Sequence, residues 1–353
     1  MIIRVGLVGC GTVGSGLIEL LNLKSGYLKE RFDVEFKLML VSDSFKGTIS
    51  SDLGLDTAEL VANLKEHGNI LSMAGAARES GDLAKSVRSL KLDILCEATP
   101  TDYKTGLPGM SILKTALGAG VSAVTSSKGA ISLDLEGLKK LARENGVFFR
   151  YESSVLSGTP LISLVRGPLA GCAITRVEGI VNGTTNYILT KMEEGMDYSR
   201  ALAEAQKFGY AETDPAGDVE GIDSALKVCI MAAEFFETRL SLHNVSRRGI
   251  TQVTSDDISL AKSAGGRIKL IAGVERNPGG SGAAVRGYVE LRTIDISHPL
   301  AFVTGVANAV NILTDNLGEI TIVGPGAGKR ETAQGILSDM LDIASRLSQG
   351  CGK

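Results

Sequence analysis

Along the first half of the chain, short apolar runs of strand length alternate with segments whose apolar residues recur at helical spacing. Ile2–Val8 is almost continuously apolar and predicts a buried strand, and Val13–Leu23 follows with the period of a helix. Val34–Val41, Leu92–Glu97, Val121–Thr125 and Val147–Tyr151 predict further strands, with helices at Met110–Leu117 and Leu133–Glu144. Asn22–Phe36 reads as an extended connection, and residues 44–90 as helices with an exposed excursion. Strands alternating with helices imply a parallel, doubly wound sheet.

The pattern then changes. Ala173–Val181, Gly266–Val274, Gly282–Arg292 and Ile320–Val323 alternate as strands do, around helical periods at Tyr187–Glu194, Tyr198–Phe208 and Val219–Phe236. Such grouping predicts an α+β domain with a mixed or antiparallel sheet. The boundary falls near Arg150, because Glu152–Pro160 has loop composition. The tail, Gly328–Leu347, is an amphipathic helix after the loop Gly324–Gly328. The expected fold is therefore α/β: a Rossmann-like doubly wound parallel sheet plus an α+β domain with a mixed sheet.

Composition narrows the function classes. The chain has 353 residues, 44% hydrophobic and 22% charged, which suits two ordinary globular domains. A formal charge of -3, with no basic run interleaved with aromatics, argues against a nucleic-acid partner. No stretch approaches the ~18 consecutive apolar residues of a membrane helix. Ile2–Val8 carries Arg4 and runs straight into a glycine turn, unlike a signal peptide, so a cytoplasmic protein is expected. Cys10, Cys96, Cys172, Cys229 and Cys351 are scattered without a C-x-x-C and read as buried reduced thiols. His67, His243 and His298 lack ligand spacing.

Gly9-Cys-Gly11-Thr12-Val13-Gly14 is G-x-G-x-x-G in its required context, directly after a strand and opening a helix. The first glycine permits the tight turn, the second lets a pyrophosphate approach the backbone, and the third lets helix and strand pack. The amides and dipole of the helix N-terminus then hold phosphate. A dinucleotide-dependent oxidoreductase follows. Asp43, ending the second strand, suits the ribose hydroxyls of NAD, while nearby Lys46 would offset the 2′-phosphate of NADP; the plain alternative for Asp43 is a turn. Thr99-Pro100-Thr101 and Ser126-Ser127-Lys128 follow the next two strands, where ligands bind in such sheets. Gly324-Pro-Gly-Ala-Gly-Lys329 resembles a phosphate loop but has the wrong spacing, and reads as a glycine turn.

In the second half, Gly209-Tyr-Ala-Glu212-Thr-Asp214-Pro215-Ala-Gly-Asp218 is polar and turn-rich, with Asp218 set as an N-cap. Asp223 and Lys227, four apart, share a helix face, for which a surface salt bridge is the plain alternative. The helix continues in apolar residues, however, and carboxylates at 212, 214, 218 and 223 crowd a single lysine. An acidic pocket with one lysine suits a substrate that bears an ammonium group and an oxygen that gains or loses a proton.

At these residues the chain resembles the short form of homoserine dehydrogenase. The resemblance runs through Gly9–Gly14, Ser127-Lys128-Gly-Ala130, Tyr151-Glu152…Gly158-Thr-Pro160, Gly179-Ile-Val-Asn182-Gly-Thr-Thr-Asn186, Glu212–Lys227 and Gly324–Gly328. It implies reversible, NAD- or NADP-linked interconversion of L-homoserine and L-aspartate 4-semialdehyde, on the branch leading to threonine, methionine and isoleucine. Lys227 would be the acid–base group and Lys128 the second active-site lysine, near the same oxygen and the cofactor. Glu212 and Asp223 would bind the substrate ammonium, with Asp218 supporting them. Thr99, Gly209 and Gly326 would join Gly9, Gly11, Thr12, Val13, Gly14, Asp43, Pro100 and Ser127 as cofactor contacts. A sodium ion would lie on carbonyls of Glu152, Val155, Ser157 and Thr159. The resemblance further implies a homodimer through residues 151–325, with 1–150 binding the dinucleotide, 326–353 packing back on it, and no regulatory module. Two other readings remain, an aspartate dehydrogenase of the same plan and a dinucleotide-binding redox sensor. The combination of Lys128, Glu212, Asp223 and Lys227 disfavours the first, and the complete catalytic set disfavours the second.

Overall fold

The computed structural model describes residues 1–73, 76–78, 82–100, 102–277 and 285–350. They divide into two units, Met1–Gly158 with Gly328–Lys353, and Thr159–Ala327. Thr101, Cys351 and the start of the strand expected at 282–292 lie outside the described residues.

In the first unit the apolar run Ile2–Val8 is strand β1, followed by helix α1 (Thr12–Phe32), β2 (Glu35–Asp43), β3 (Gly47–Ser50), α2 (Thr57–Glu66), β4 (Ala77–Arg78) and α3 (Leu83–Ser89). Then come β5 (Ile94–Glu97), α4 (Gly109–Gly118), β6 (Ser122–Thr125), α5 (Lys128–Glu144), β7 (Phe149–Arg150) and the single turn α6 (Ser153–Leu156). The sheet order is β4-β3-β2-β1-β5-β6-β7. Its five strands from β2 to β7 are parallel, as the alternation predicts, while β3 and β4 extend it antiparallel. The chain moves outward from β1 to β2 and later returns to β5 on the other side of β1. That reversal opens the crevice at the carboxyl ends of β1 and β5 where such sheets bind ligands.

Two expectations need correction here. The segment read as an extended connection continues α1 to Phe32, because Leu28 keeps to the buried face of Leu17, Ile18 and Leu21, and Asp33 ends the helix in left-handed backbone. The unit boundary lies at Gly158, beyond Arg150, because the intervening residues are fastened to the C-terminal helix Lys329–Ser348. The Glu152 amide donates to Asp339 at 2.8 Å, Ser153 Oγ to the Thr332 carbonyl at 2.8 Å, and the Ser157 and Thr332 hydroxyls meet at 2.9 Å. The same helix adds Ala333, Ile336, Met340 and Ile343 to the core around α1 and β1.

The second unit comprises α7 (Ile162–Arg166), β8 (Ile174–Ile180), α8 (Gly183–Glu193), α9 (Tyr198–Lys207), α10 (Ala216–Val219), α11 (Ile222–Phe235), β9 (Ser246–Arg247), α12 (Ser255–Ser263), β10 (Gly266–Arg276), β11 (Val285–Asp295), β12 (Ala307–Thr314) and β13 (Gly318–Pro325). Its sheet runs β13-β12-β8-β10-β11-β9, antiparallel throughout except for the β11–β9 pair. The sheet is mixed, as expected. Helices α8, α11 and α12 pack on it. Strand β12 carries no readable alternation, since buried Asn308 and Asn311 interrupt its apolar residues, yet it pairs on both sides. The helix expected at Val219–Phe236 is broken at Gly221, whose φ of 76° separates α10 from α11. No helix among the described residues is long and apolar enough to cross a membrane.

Candidate active site

The glycine turn shows three different reasons for its glycines. Gly9 holds φ 93°, and its amide donates to the Ser42 carbonyl at 2.8 Å, bending the chain off β1 toward α1. A Cβ at Gly14 would lie 1.9 Å from the Gly9 carbonyl oxygen, so helix and turn touch there. A Cβ at Gly11 would meet no protein atom within 4 Å. The space over Gly11 is open, as approach of a phosphate to the backbone requires. Gly11 is also the N-cap of α1, with no side-chain cap, so the first amides of a 21-residue helix face outward beside Thr12 and Val13.

Asp43 turns out to build this turn. Its Oδ2 accepts the Cys10 amide at 2.7 Å and its Oδ1 the amides of Phe45 and Lys46 at 2.9 and 3.0 Å. Burial pushes the carboxyl up, but these amides outweigh it and hold the pKa below the ordinary carboxylate value. The Lys46 ammonium donates to the Cys10 carbonyl, bringing a cation to the same turn.

The loops after β5 and β6 lie at the same end of the sheet. Thr99 is half-buried and Pro100 exposed, and Ser127 caps α5 with Lys128 as its first residue, half-buried. Gly326 is pressed against the Asn308 amide, and Gly209 ends α9 at φ 73°. Lys329 of the glycine-rich segment pairs with Glu19 at 2.9 Å, which fits a structural turn.

In the second unit, Lys227 projects from α11 and is buried. Its Nζ donates to the Val181 carbonyl at 2.5 Å and pairs with Asp223 Oδ2 at 2.8 Å. The pair weighed as a surface salt bridge therefore has a buried lysine and a half-buried carboxylate. Asn182, at the end of β8, joins the group: its Nδ2 donates to Asp218 Oδ1 at 2.7 Å and to Asp223 Oδ2 at 3.2 Å. Its Oδ1 meanwhile accepts the Thr185 amide at 2.9 Å and caps α8. Burial raises the Asp218 pKa and the Asp223 charge adds to that, against the Asn182 hydrogen bond.

The pocket is smaller than the sequence suggests. Asp218 is not an N-cap: it lies inside α10, whose cap is Pro215, because Gly221 rather than Asp218 marks the break before α11. Glu212 and Asp214 are exposed, and among the described residues neither pairs with Lys227; Asp214 accepts the Ala216 amide in its own turn. Asn182 was the missed residue. Its signal, an Asn-Gly-Thr-Thr cap after a strand, indicates a helix start and is silent about the carboxylates it bridges.

Of the four residues expected to hold a cation, Glu152, Val155 and Ser157 belong to the first unit and Thr159 to the second. Among the described residues no group of three or more His, Cys, Asp or Glu side chains could hold a metal. Cys10, Cys96 and Cys229 are free and buried, and Cys172 is half-buried.

Comparison with known proteins decides the family. The homoserine dehydrogenase family model matches residues 160–341, and that for the homoserine dehydrogenase NAD binding domain matches residues 9–152. The chain belongs to the homoserine dehydrogenase family. It is 40% identical over 340 residues to an NAD(+)-dependent homoserine dehydrogenase of Pseudomonas canavaninivorans, covering 96% of each chain. It is 36% identical over 340 residues to the homoserine dehydrogenase of Methanocaldococcus jannaschii, covering 96% of this chain and 97% of the relative. A hyperthermophilic archaeal homoserine dehydrogenase mutant solved in complex with NADPH superposes with a TM-score of 0.84 at 31% identity, covering 98% of both chains. The chain is thus an NAD(P)-dependent oxidoreductase of the homoserine dehydrogenase type, and the aspartate dehydrogenase and sensor readings fall.

Proposed function

We propose that Lys227 is the acid–base group in a reversible hydride transfer between L-homoserine and L-aspartate 4-semialdehyde. The observation that carries this reading is how Lys227 is held: buried, with one hydrogen directed to the Val181 carbonyl and another to Asp223. An ammonium has three N–H donors. The third serves the aldehyde oxygen, which takes a proton from Nζ as its carbon takes the hydride. In the oxidative direction the alcohol returns that proton to the neutral amine. The nicotinamide, when bound, supplies or accepts the hydride. Asp218 and Asp223 attract the substrate ammonium, whose charge offsets the burial and the Asp223 repulsion that together raise Asp218. Glu212 offers a further carboxylate from the exposed loop.

On the cofactor side, Gly9, Gly11, Thr12, Val13 and Gly14 cradle the pyrophosphate, with Thr99, Pro100, Ser127 and Lys128 toward the nicotinamide. With both oxygens of Asp43 engaged by backbone and Lys46 beside it, the turn suits the ribose of NAD and the phosphate of NADP alike. Backbone carbonyls of Glu152, Val155, Ser157 and Thr159 would hold sodium, a hard cation matched to hard oxygens. The same reading has a cytoplasmic homodimer on the branch toward threonine, methionine and isoleucine. Support for the dimer is the open edge of β13, where Val323 is 58% exposed beside partly exposed Ile320 and Ile322.

The test is reduction of aspartate semialdehyde with NADH and with NADPH, repeated with Lys227→Met. The variant is expected to lose on the order of 10³-fold in kcat in both directions, within the usual range for a general acid–base group, and to bind cofactor normally. Activity within tenfold of wild type would end the assignment.

A further inference from the structure

Glu97 ends β5 and is fully buried, at a depth where a carboxylate ordinarily has a cationic partner. Among the described residues it forms no ion pair. Its oxygens are held by neutral donors: Oε1 by the Thr99 amide at 2.8 Å and the Thr99 hydroxyl, Oε2 by the Thr125 hydroxyl. Thr125 Oγ1 in turn accepts the Ser127 amide at 2.9 Å, and the Glu97 carbonyl accepts the Ser126 amide at 3.3 Å. Gly109 makes the room, since a Cβ there would come within 3.3 Å of the carboxyl. One carboxylate thus ties together the loops that follow two neighbouring parallel strands.

Packing alone does not account for a carboxyl group there. Burial drives the Glu97 pKa upward against the hydrogen bonds it accepts, and an apolar or neutral residue would be less costly at this depth. What the carboxylate imposes is direction. Because Oε1 already accepts the Thr99 amide, it accepts the Thr99 hydroxyl hydrogen as well, while the Thr125 hydroxyl gives its hydrogen to Oε2. Thr99, which is half-exposed, is left with lone pairs alone on its open side. Thr125 is left able to accept the Ser127 amide, which sets the turn leading into Lys128.

We propose that Glu97 is a positioning residue for the nicotinamide cofactor, presenting the Thr99 hydroxyl as a pure acceptor to an amide or hydroxyl donor at the cofactor's nicotinamide–ribose end. The proposal rests on the reading that the loops after β5 and β6 receive the cofactor.

The test uses Glu97→Leu, which keeps bulk but removes both acceptors, so that the Thr99 hydroxyl loses the oxygen that takes its hydrogen. Cofactor affinity, measured by NADH and NADPH fluorescence titration without amino-acid substrate, is expected to fall roughly tenfold, the scale of one hydrogen bond left unmade. The kcat at saturating cofactor and the KM for homoserine should stay within about twofold, because Lys227 and its partners are untouched. Thr99→Val should lose a similar factor, and the double variant should be no weaker than either single one, since both act through one bond. A Glu97→Leu enzyme that melts earlier but binds cofactor as wild type does has lost only structure, and the proposal falls. It falls too if Glu97→Leu weakens binding while Thr99→Val does not. Gly11→Ala separates the two layers of inference. If it loses affinity while the Glu97 and Thr99 variants do not, only the Glu97 proposal fails; if all three bind normally, the cofactor reading of these loops fails with it. Should Glu97→Leu not fold, Thr99→Val and Thr125→Val carry the test, and both must weaken cofactor binding.

Discussion

On the proposed function, the glycine turn of the first unit and the Asn182 cluster of the second receive opposite charges by opposite means. At the turn, glycines at 9, 11 and 14 dispense with side chains and the helix start presents amides, so on the proposed function anion binding there is a matter of backbone shape. In the cluster, a strand end, α10 and α11 each contribute side chains, and one asparagine holds two carboxylates while the second of these holds the lysine. A shape-built site fails locally when a position is filled. A network-built site fails as a unit, because each member satisfies another. The contrast teaches where each half is vulnerable.

Breaking the network should have the largest effect. Asn182→Ala removes both bridging hydrogen bonds and the cap of α8. With each charge-assisted bond worth about 1.5–3 kcal/mol, kcat/KM for homoserine is expected to fall on the order of 100-fold or more. Loss of the cap should cost about 1 kcal/mol of stability, read as an earlier melt. Cofactor affinity should not move. An Asn182→Ala enzyme with normal kcat/KM would mean that the carboxylates hold Lys227 without the bridge, and that the cluster is no network.

The same contrast governs what could be read from the sequence. The parallel sheet and the glycine turn were legible because each is a local pattern: an apolar run, then glycines at fixed spacing, then a helical period. Asp43 was visible as an acidic residue at a strand end, but its function in the turn depends on amides at Cys10, Phe45 and Lys46 that only the fold brings to it. Lys227 and Asp223 were legible as an i,i+4 pair. Asn182 was not legible as their partner, since its contacts come from residues far along the chain. Strand β12 was hidden for a related reason: Asn308 and Asn311 are buried polar residues in a strand, and alternation fails where burial does not follow polarity. Glu97 hid in the same way, as the last residue of an apolar strand.

Filling the turn should have a smaller effect, and should separate stability from binding within a few residues. Gly14→Ala sets a methyl 1.9 Å from the Gly9 carbonyl oxygen and is expected to cost about 1–3 kcal/mol as overpacking, lowering the melting temperature. Gly11→Ala meets nothing and should cost no more than about 1 kcal/mol as a poorer cap. Yet it stands where a phosphate would approach, so cofactor affinity should drop roughly tenfold for one charge-assisted hydrogen bond. Thermal melts with and without NADPH resolve the two. If Gly11→Ala keeps full cofactor-induced stabilisation, the open space over Gly11 is not where the phosphates lie.

The subtlest expected difference is in the pH dependence of stability, where the two sites should slope in opposite directions. Asp218 is raised in the folded protein, chiefly by burial and further by Asp223. Its contribution to stability is complete below the unfolded value, about pH 3.9, and is lost as pH rises through the higher folded value. Asp218→Asn removes that loss, so the variant should gain on wild type in melting temperature between about pH 4 and pH 7. Asp43 is lowered, because the amides of Cys10, Phe45 and Lys46 outweigh its burial. Its contribution is present above about pH 3.9 and is lost as pH falls through the lower folded value. Asp43→Asn should therefore be less stable than wild type at neutral pH, with the gap closing in acid. Melts of the two variants across one pH series check both at once. Slopes of the same sign would show that the carboxylate pair around Asn182 is not held against its own charge, and that the two halves differ in position but not in kind.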